Sequence, residues 1–397
     1  MRIGIVTYHH VVNDGAVLQA LAQQQALQRL LPEATVEIVD FRYKIIEKRE
    51  WFDILKDVLK FRKSAFHKLR KYRTVRNFIN HDLPLSDRRI VADTLEEVIP
   101  YVNQRYDALI VGSDEVWKID YKKYSRPFPN IYWLPQPIKV IRIASAATAN
   151  TLNLSTLKEK DKEAAIAMLR SFQLIGVRDQ FTYDFVKNNF ADAPLTLMPD
   201  PTFALELKDS VYAAVKQKLE KAGVDMSKPT MALSLSSNVK DLRELSSRAF
   251  QAFSAKGHQV VCIGQYNEFC HVNLTGQLSP LEWAHVYRFF DFCITDRFHS
   301  SIFSIRNHVN FVAVDFSNRY KGNVTGKIYD LLSRVSMLQH YISLKDFSTD
   351  DAIRHIESIH AKGKTDNIPG RLEEIDKRLT GDFNGFLEKI KTLLGTK

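Results

Sequence analysis

Cysteine is scarce in this chain: three in 397 residues, at Cys262, Cys270 and Cys293. No two of them form a CxxC pair, which argues against a disulfide framework and a structural zinc site and points to a reducing cytosol. No run of about 18 apolar residues occurs, so no segment reads as a bilayer span. The opening Met1–Thr7 is short and soon followed by His9-His10, so it reads as a buried strand and not as a signal peptide. A GxGxxG motif is missing after that strand, which argues against a dinucleotide. His9 and His10 have no HExxH or other metal-ligand spacing around them. What remains, 45% hydrophobic and 26% charged residues, is ordinary globular composition. The length exceeds that of a single core, so two domains are expected.

The net charge is +10, and its distribution is uneven. Thirteen Lys/Arg face four Asp/Glu between Arg42 and Arg76, a local excess of nine; the rest is nearly balanced. That weighs against a nucleic-acid partner and for one basic patch. Trp51, Phe52, Leu55, Leu59, Phe66 and Leu69 fall at helical spacing between those charges. The segment suits an amphipathic helix on an anionic membrane face, and equally a helical pair packed on a sheet.

Along the chain, short apolar runs alternate with amphipathic stretches. Strands are expected at Arg2–Thr7, Val36–Val39, Ala108–Val111, Val140–Ala144, Leu174–Val177 and Leu195–Met198, with helices at Gly15–Leu31, Lys158–Ser171 and Gln180–Asn188 between them. The second half repeats the pattern, with strands at Met231–Leu235, Gln259–Ile263, Phe292–Thr295 and Asn310–Val314, and helices at Asp241–Ala255, Pro280–Arg288 and Ser300–Arg306. This predicts an α/β chain of two Rossmann-like doubly wound domains facing each other across a cleft, a GT-B-like architecture. The expected divisions are 1–205, with a basic helical insertion at about 42–80; 206–370; and a C-terminal helix, 371–397, packing back on the first domain.

Ligands of such sheets bind beyond the carboxyl ends of the strands. Three loops there carry unusual residues. Gly112-Ser113-Asp114-Glu115-Val116-Trp117 sets two carboxylates and an indole at a strand tip, a combination suited to a sugar; a helix cap and a core tryptophan are the alternative. Asp296-Arg297-Phe298-His299-Ser300-Ser301 enters a helix. There Arg297 can grip a phosphate or carboxylate, the helix start at Ser300 and Ser301 favours an anion, and His299 can move a proton; a surface Arg–Asp pair and a capping histidine are the alternative. The polar loop Tyr8–Gly15, with His9, Asn13 and Asp14, stands where a Rossmann-like domain has a ligand loop.

These pieces, in order, resemble the polysaccharide pyruvyl transferase family over roughly Met1 to Leu338. Val6-Thr7-Tyr8-His9 with Asn13-Asp14-Gly15 resembles the family's opening strand and Asn-Tyr-Gly helix start. Gly112–Trp117 resembles its Gly-Ser-Asp-Gln-Val-Trp signature. Val177-Arg178-Asp179, Asp200-Pro201-Thr202, Thr295–His299 and Lys327-Ile328 match later elements. Asp14, Glu115 and Ser300 depart from the family's usual Tyr, Gln and Gly. The resemblance implies transfer of pyruvate from phosphoenolpyruvate, as a ketal, to a hydroxyl pair of a sugar in a surface-polysaccharide precursor. It implies that Arg297, His299 and Lys327 bind phosphoenolpyruvate, joined by the helix start at Ser300 and Ser301 as the expected anion contact, and that His9, Asn13, Asp14, Ser113, Glu115 and Trp117 lie on the acceptor side. His299 would act as acid/base, and Asp114 would orient or deprotonate the acceptor hydroxyl. No metal or cofactor is called for. The expected location is the cytoplasm, with peripheral contact at the inner membrane face if the acceptor is polyprenyl-linked. A GT-B glycosyltransferase using a nucleotide sugar is the competing reading; a catalytically silent carbohydrate- or membrane-binding scaffold is a third.

Overall fold

The computed structural model describes residues 1–59, 64–121, 125–149, 152–316, 326–363 and 365–395. Its contacts divide the chain into two units. The first comprises Met1–Lys56, Arg76–Glu206 and Leu379–Lys397; the second comprises Asp57–Val75 and Leu207–Arg378.

The first unit is built on β1 (Arg2–Val6), β2 (Thr35–Ile38), β5 (Ala108–Val111), β6 (Ile141–Ala147), β7 (Leu174–Val177) and β8 (Leu195–Leu197); β3 (Phe41–Arg42) and β4 (Ile90–Val91) pair apart as a small ribbon. The six strands are parallel in the order β2-β1-β5-β6-β7-β8. Helices Asp14–Leu30, Val98–Arg105, Glu159–Leu169 and Gln180–Asn189 connect them. Covered on both faces, a central strand can be apolar throughout, as Ala108-Leu109-Ile110-Val111 is, every residue fully buried.

The second unit repeats the plan with β9 (Thr230–Ser234), β10 (Gln259–Cys262), β11 (Val272–Asn273), β12 (Phe292–Thr295), β13 (Phe311–Asp315) and β14 (Tyr341–Ser343), parallel in the order β11-β10-β9-β12-β13-β14. The α/β, doubly wound expectation therefore holds for each half. The strands β11 and β14 are two and three residues long, too short to show a period in sequence. The helix expected at Pro280–Arg288 is α-helical only to His285 and tightens into a 3-10 turn at Val286–Phe289.

The basic segment forms helices Lys44–Leu59 and Ser64–His81. It does not sit wholly within the first unit, because Ser64–Val75 pack with the second: His67 stacks on Tyr266 at 4.6 Å and the Thr74 hydroxyl donates to the Gly276 carbonyl at 2.8 Å. The long helix Ile368–Gly395 returns to the first unit from Leu379 onward. There the Thr380 hydroxyl donates to the Phe203 carbonyl. A Cβ added at Gly176 of β7 would come within 2.6 Å of the Phe386 ring, so the glycine admits that helix.

Candidate functional site

Each sheet starts in its middle and builds outward in both directions, so each has one point where the strand order reverses. In the first unit this point lies between β1 and β5, and the loops after Val6 and Val111 meet there. A cavity of about 260 Å³ opens between them, lined by Tyr8, His10 and Asn13 from one loop and Asp114, Glu115 and Lys118 from the other, with Arg49, Arg126 and Tyr132.

Local chemistry fixes the second loop. Gly112 has φ +121°, and a Cβ there would meet the Ser145 carbonyl oxygen at 2.0 Å, so only glycine fits. Asp114 has φ +78°, a region aspartate tolerates better than bulkier residues. Its carbonyl accepts the Thr148 N–H at 3.0 Å. Its carboxylate receives Arg178 Nη2 at 2.9 Å, while Arg178 Nη1 donates to Asp200 at 2.6 Å. Burial works against the Arg178 charge, but Asp114 and Asp200 outweigh it and hold the group well above the ordinary arginine range. Asp200 also accepts from the Gln19 side-chain amide at 2.5 Å and from the Thr202 hydroxyl at 2.6 Å. The Val-Arg-Asp and Asp-Pro-Thr pieces are thus joined through one buried guanidinium behind the Asp114 loop.

Not every residue expected on the acceptor side reaches the cavity. His9 is fully buried and bonded to Asp40 (3.0 Å) and the Thr7 carbonyl (3.2 Å), away from the lining. Its neighbour His10 takes the place expected of it. Ser113 is fully buried. Trp117 is a core residue, stacked on Trp133 at 5.7 Å and edge-on to Phe172, because the chain after Asp114 turns the indole inward; the core alternative is correct. Burying such an indole contributes roughly 4–6 kcal/mol of transfer free energy, so its role is packing. Asn13 lines the cavity and caps the first helix, accepting from the Gly15 N–H at 3.0 Å. Asp14 is half-buried in that helix's first turn, outside the lining. Asp114 and Glu115 do line the cavity. Arg126 was not singled out from sequence: it lies in a Pro-rich loop, Ser125-Arg126-Pro127-Phe128-Pro129, with no motif around it.

Burial holds His10 well below its usual range, reinforced by His9, Arg42 and Arg76. The folded chain therefore resists a proton that the unfolded chain takes up below about pH 6.5, and stability falls as pH drops through that value. His285 and His340, also depressed by burial, act in the same direction. Urea unfolding at pH 7.5 and 5.5 checks this: His10→Gln is expected to lose less stability on acidification than the parent chain. An unchanged pH slope would remove His10 from the account.

In the second unit the order reverses between β9 and β12. Arg297 follows β12 there, its Nη2 donating to the Ser236 hydroxyl (2.8 Å), which donates to Asp296 (2.5 Å); Nε lies 3.2 Å from Asp296. This relay aims a guanidinium whose side chain remains 37% exposed. His299 is buried in the first turn of the helix Phe298–Arg306. Lys327 opens the helix Lys327–Arg334 with its Nζ 5.6 Å from the Phe298 ring centroid, beside the same loop. Ser300 and Ser301 are turned into the fold: Ser300 Oγ bonds Ser234 Oγ, and Ser301 Oγ donates to the Arg297 carbonyl. The Ser301 N–H closes the first helical turn on that carbonyl. Their hydroxyls therefore bond within the fold.

Two doubly wound parallel sheets, each with polar loops at its point of reversal, define a GT-B-like α/β protein. Solved structures share the fold across nearly the whole chain. A glycosyltransferase from Rickettsia africae is 9% identical with a TM-score of 0.57, covering 99% of this chain and 97% of that one. The UDP-GlcNAc 2-epimerase from Neisseria meningitidis, bound to UDP-GlcNAc, is 10% identical with a TM-score of 0.54 and full coverage of both chains. The UDP-GlcNAc 2-epimerase from Methanocaldococcus jannaschii is 9% identical with a TM-score of 0.52, covering 90% and 92%. No curated protein matches in sequence. The sequence profile of the polysaccharide pyruvyl transferase family matches residues 13–318, and the chain belongs to that family.

Proposed function

We propose that this chain transfers pyruvate from phosphoenolpyruvate to a hydroxyl pair of a sugar, forming a ketal and releasing phosphate. The observation that carries this reading is the loop Arg297-Phe298-His299 directly after β12 at the reversal point of the second sheet, with Lys327 Nζ 5.6 Å from the Phe298 ring centroid. A donor bearing both phosphate and carboxylate calls for cations such as Arg297 and Lys327. In the reaction, one acceptor hydroxyl adds to the enol carbon while the methylene carbon gains a proton. The second hydroxyl then replaces phosphate at the same carbon, and the phosphate carries away the remaining proton. His299 is the group of this loop suited to proton transfer near neutral pH. Asp114 lines the first-unit cavity with an oxygen committed to Arg178, which suits orienting an acceptor hydroxyl.

The competing donor is a nucleotide sugar. Thermal-shift titration with phosphoenolpyruvate and with UDP-sugars separates the two. Stabilisation by phosphoenolpyruvate alone, with phosphate release on adding acceptor, supports the proposal. Stabilisation by a UDP-sugar alone would replace it with glycosyl transfer.

The acceptor in this reading is lipid-linked and met at an anionic membrane face. No helix among the described residues is long and apolar enough to cross a membrane. The helix Lys44–Leu59, however, exposes Trp51 (55%), Phe52 (68%), Leu55 (51%) and Leu59 (68%) within the basic segment. Exposed aromatic and aliphatic side chains among lysines and arginines suit an interfacial helix. Flotation with anionic liposomes is expected to carry the chain, and a Phe52→Ser/Leu55→Ser double variant to stay behind. Neutralising Lys60, Arg62 and Lys63, which lie outside the described residues, should weaken flotation further. Equal recovery with neutral vesicles would rule out the electrostatic part.

A further inference from the structure

The first-unit cavity contains a guanidinium that has no carboxylate within ion-pair distance among the described residues. Arg126 lies against two aromatic faces, its Cζ 4.5 Å from the Tyr8 ring centroid and 4.9 Å from that of Tyr132. Stacking satisfies the faces of a guanidinium and leaves its N–H edge to be met otherwise. On that edge Nη2 reaches the Glu115 carbonyl at a long 3.4 Å, and Nη1 is buried with no hydrogen-bond partner among the described residues. Burial pushes the group down to about 10, so it is still charged at neutral pH. A partly buried charge with no ion-pair partner and one long hydrogen bond among the described residues is costly, and a ligand that supplies a counter-ion and further bonds reduces that cost.

The surroundings select the ligand. Arg49 and Lys118 line the same cavity, and both ring nitrogens of buried His10 lack a partner among the described residues. Asp114, Glu115 and Asp120 line it too, and would repel an anion while accepting from hydroxyls. At about 260 Å³ the cavity falls just below the usual range for drug-sized ligands, about 300–1,000 Å³, and fits one sugar ring better than an oligosaccharide.

We infer that this cavity binds the acceptor as a single sugar ring bearing a carboxylate or a phosphate, the anionic group held by Arg126 and the hydroxyls facing Asp114 and Glu115. The inference rests on the pyruvyl-transfer reading only for the word acceptor; the anion site stands on Arg126 itself.

Calorimetric titration of the full chain with glucuronate, glucose 1-phosphate, glucose and inorganic phosphate tests it. At least one charged sugar is expected to bind tenfold or more tightly than glucose, and which one does so distinguishes carboxylate from phosphate. Arg126→Gln should abolish that preference, and Arg126→Lys should retain part of it, while phosphoenolpyruvate binding stays at the parental level in both. Equal affinity for glucose and the charged sugars would overturn the inference, as would a preference that survives in Arg126→Gln. Inorganic phosphate binding as tightly as glucose 1-phosphate would also overturn it, by assigning a bare anion site. If Arg126→Gln does not fold, the parental preference for charged sugars and its weakening between 0.05 and 0.5 M salt, roughly a threefold fall in Debye length, decide the matter. Charged-sugar binding without phosphoenolpyruvate binding would defeat the pyruvyl reading and leave this site standing; the reverse would defeat the site alone.

Discussion

Arg297→Ala is expected to lower phosphoenolpyruvate-dependent phosphate release by about 10²–10³-fold, the usual effect of deleting one pre-placed group that meets developing charge. The fold should tolerate the change. The side chain is over a third exposed, and the Ser236 hydroxyl keeps its bond to Asp296 when the guanidinium is gone. Melting temperature should therefore remain close to that of the parent, which makes the loss attributable to chemistry. Arg297→Lys restores a charge without the planar fork and should recover only part of the rate. Steady-state phosphate release with saturating acceptor is the measurement, and turnover of the alanine variant within tenfold of the parent would remove Arg297 from the donor site.

The second large effect is on stability. Arg178→Met is expected to destabilise the first unit by about 3–5 kcal/mol, because it strands buried carboxylates that the guanidinium now bridges. Asp200 is almost fully buried and Asp114 is held at positive φ, so neither can swing out to water cheaply. At about 2–4 °C per kcal/mol for a unit of this size, the melting temperature should fall by roughly 6–20 °C. Thermal unfolding followed by circular dichroism gives the answer. A shift below about 3 °C would mean that water or Gln19 can replace the arginine. The two substitutions are diagnostic as a pair: one removes activity with little change in stability, the other removes the scaffold of the cavity.

Much of the fold was legible because buried parallel strands announce themselves. Ala108–Val111 and Phe292–Thr295 are bounded as their apolar runs suggest, and Leu174–Val177 likewise. The site was legible in its loops and less so in its side chains. Sequence order puts Asp114, Glu115 and Trp117 on one loop, but only tertiary packing decides that the carboxylates line a cavity and the indole enters the core. The His9-His10 pair shows the same limit. In the loop after β1, Asp40, arriving from elsewhere in the chain, bonds His9, while His10 lines the cavity. Arg126 had no local signal at all, since its meaning comes from Tyr8 and Tyr132, which are remote or unremarked in sequence.

The return of the last helix to the first unit sets an order of assembly. On a ribosome adding about 5–20 residues per second, residues up to Glu206 are made roughly 10–35 s before Leu379 and its successors. Through that interval the groove over Gly176 and Met198, which Phe386 later fills, stays uncovered. The nascent first unit thus waits with an open seam while the whole second sheet is synthesised, and its cooperative folding is completed from the opposite end of the chain.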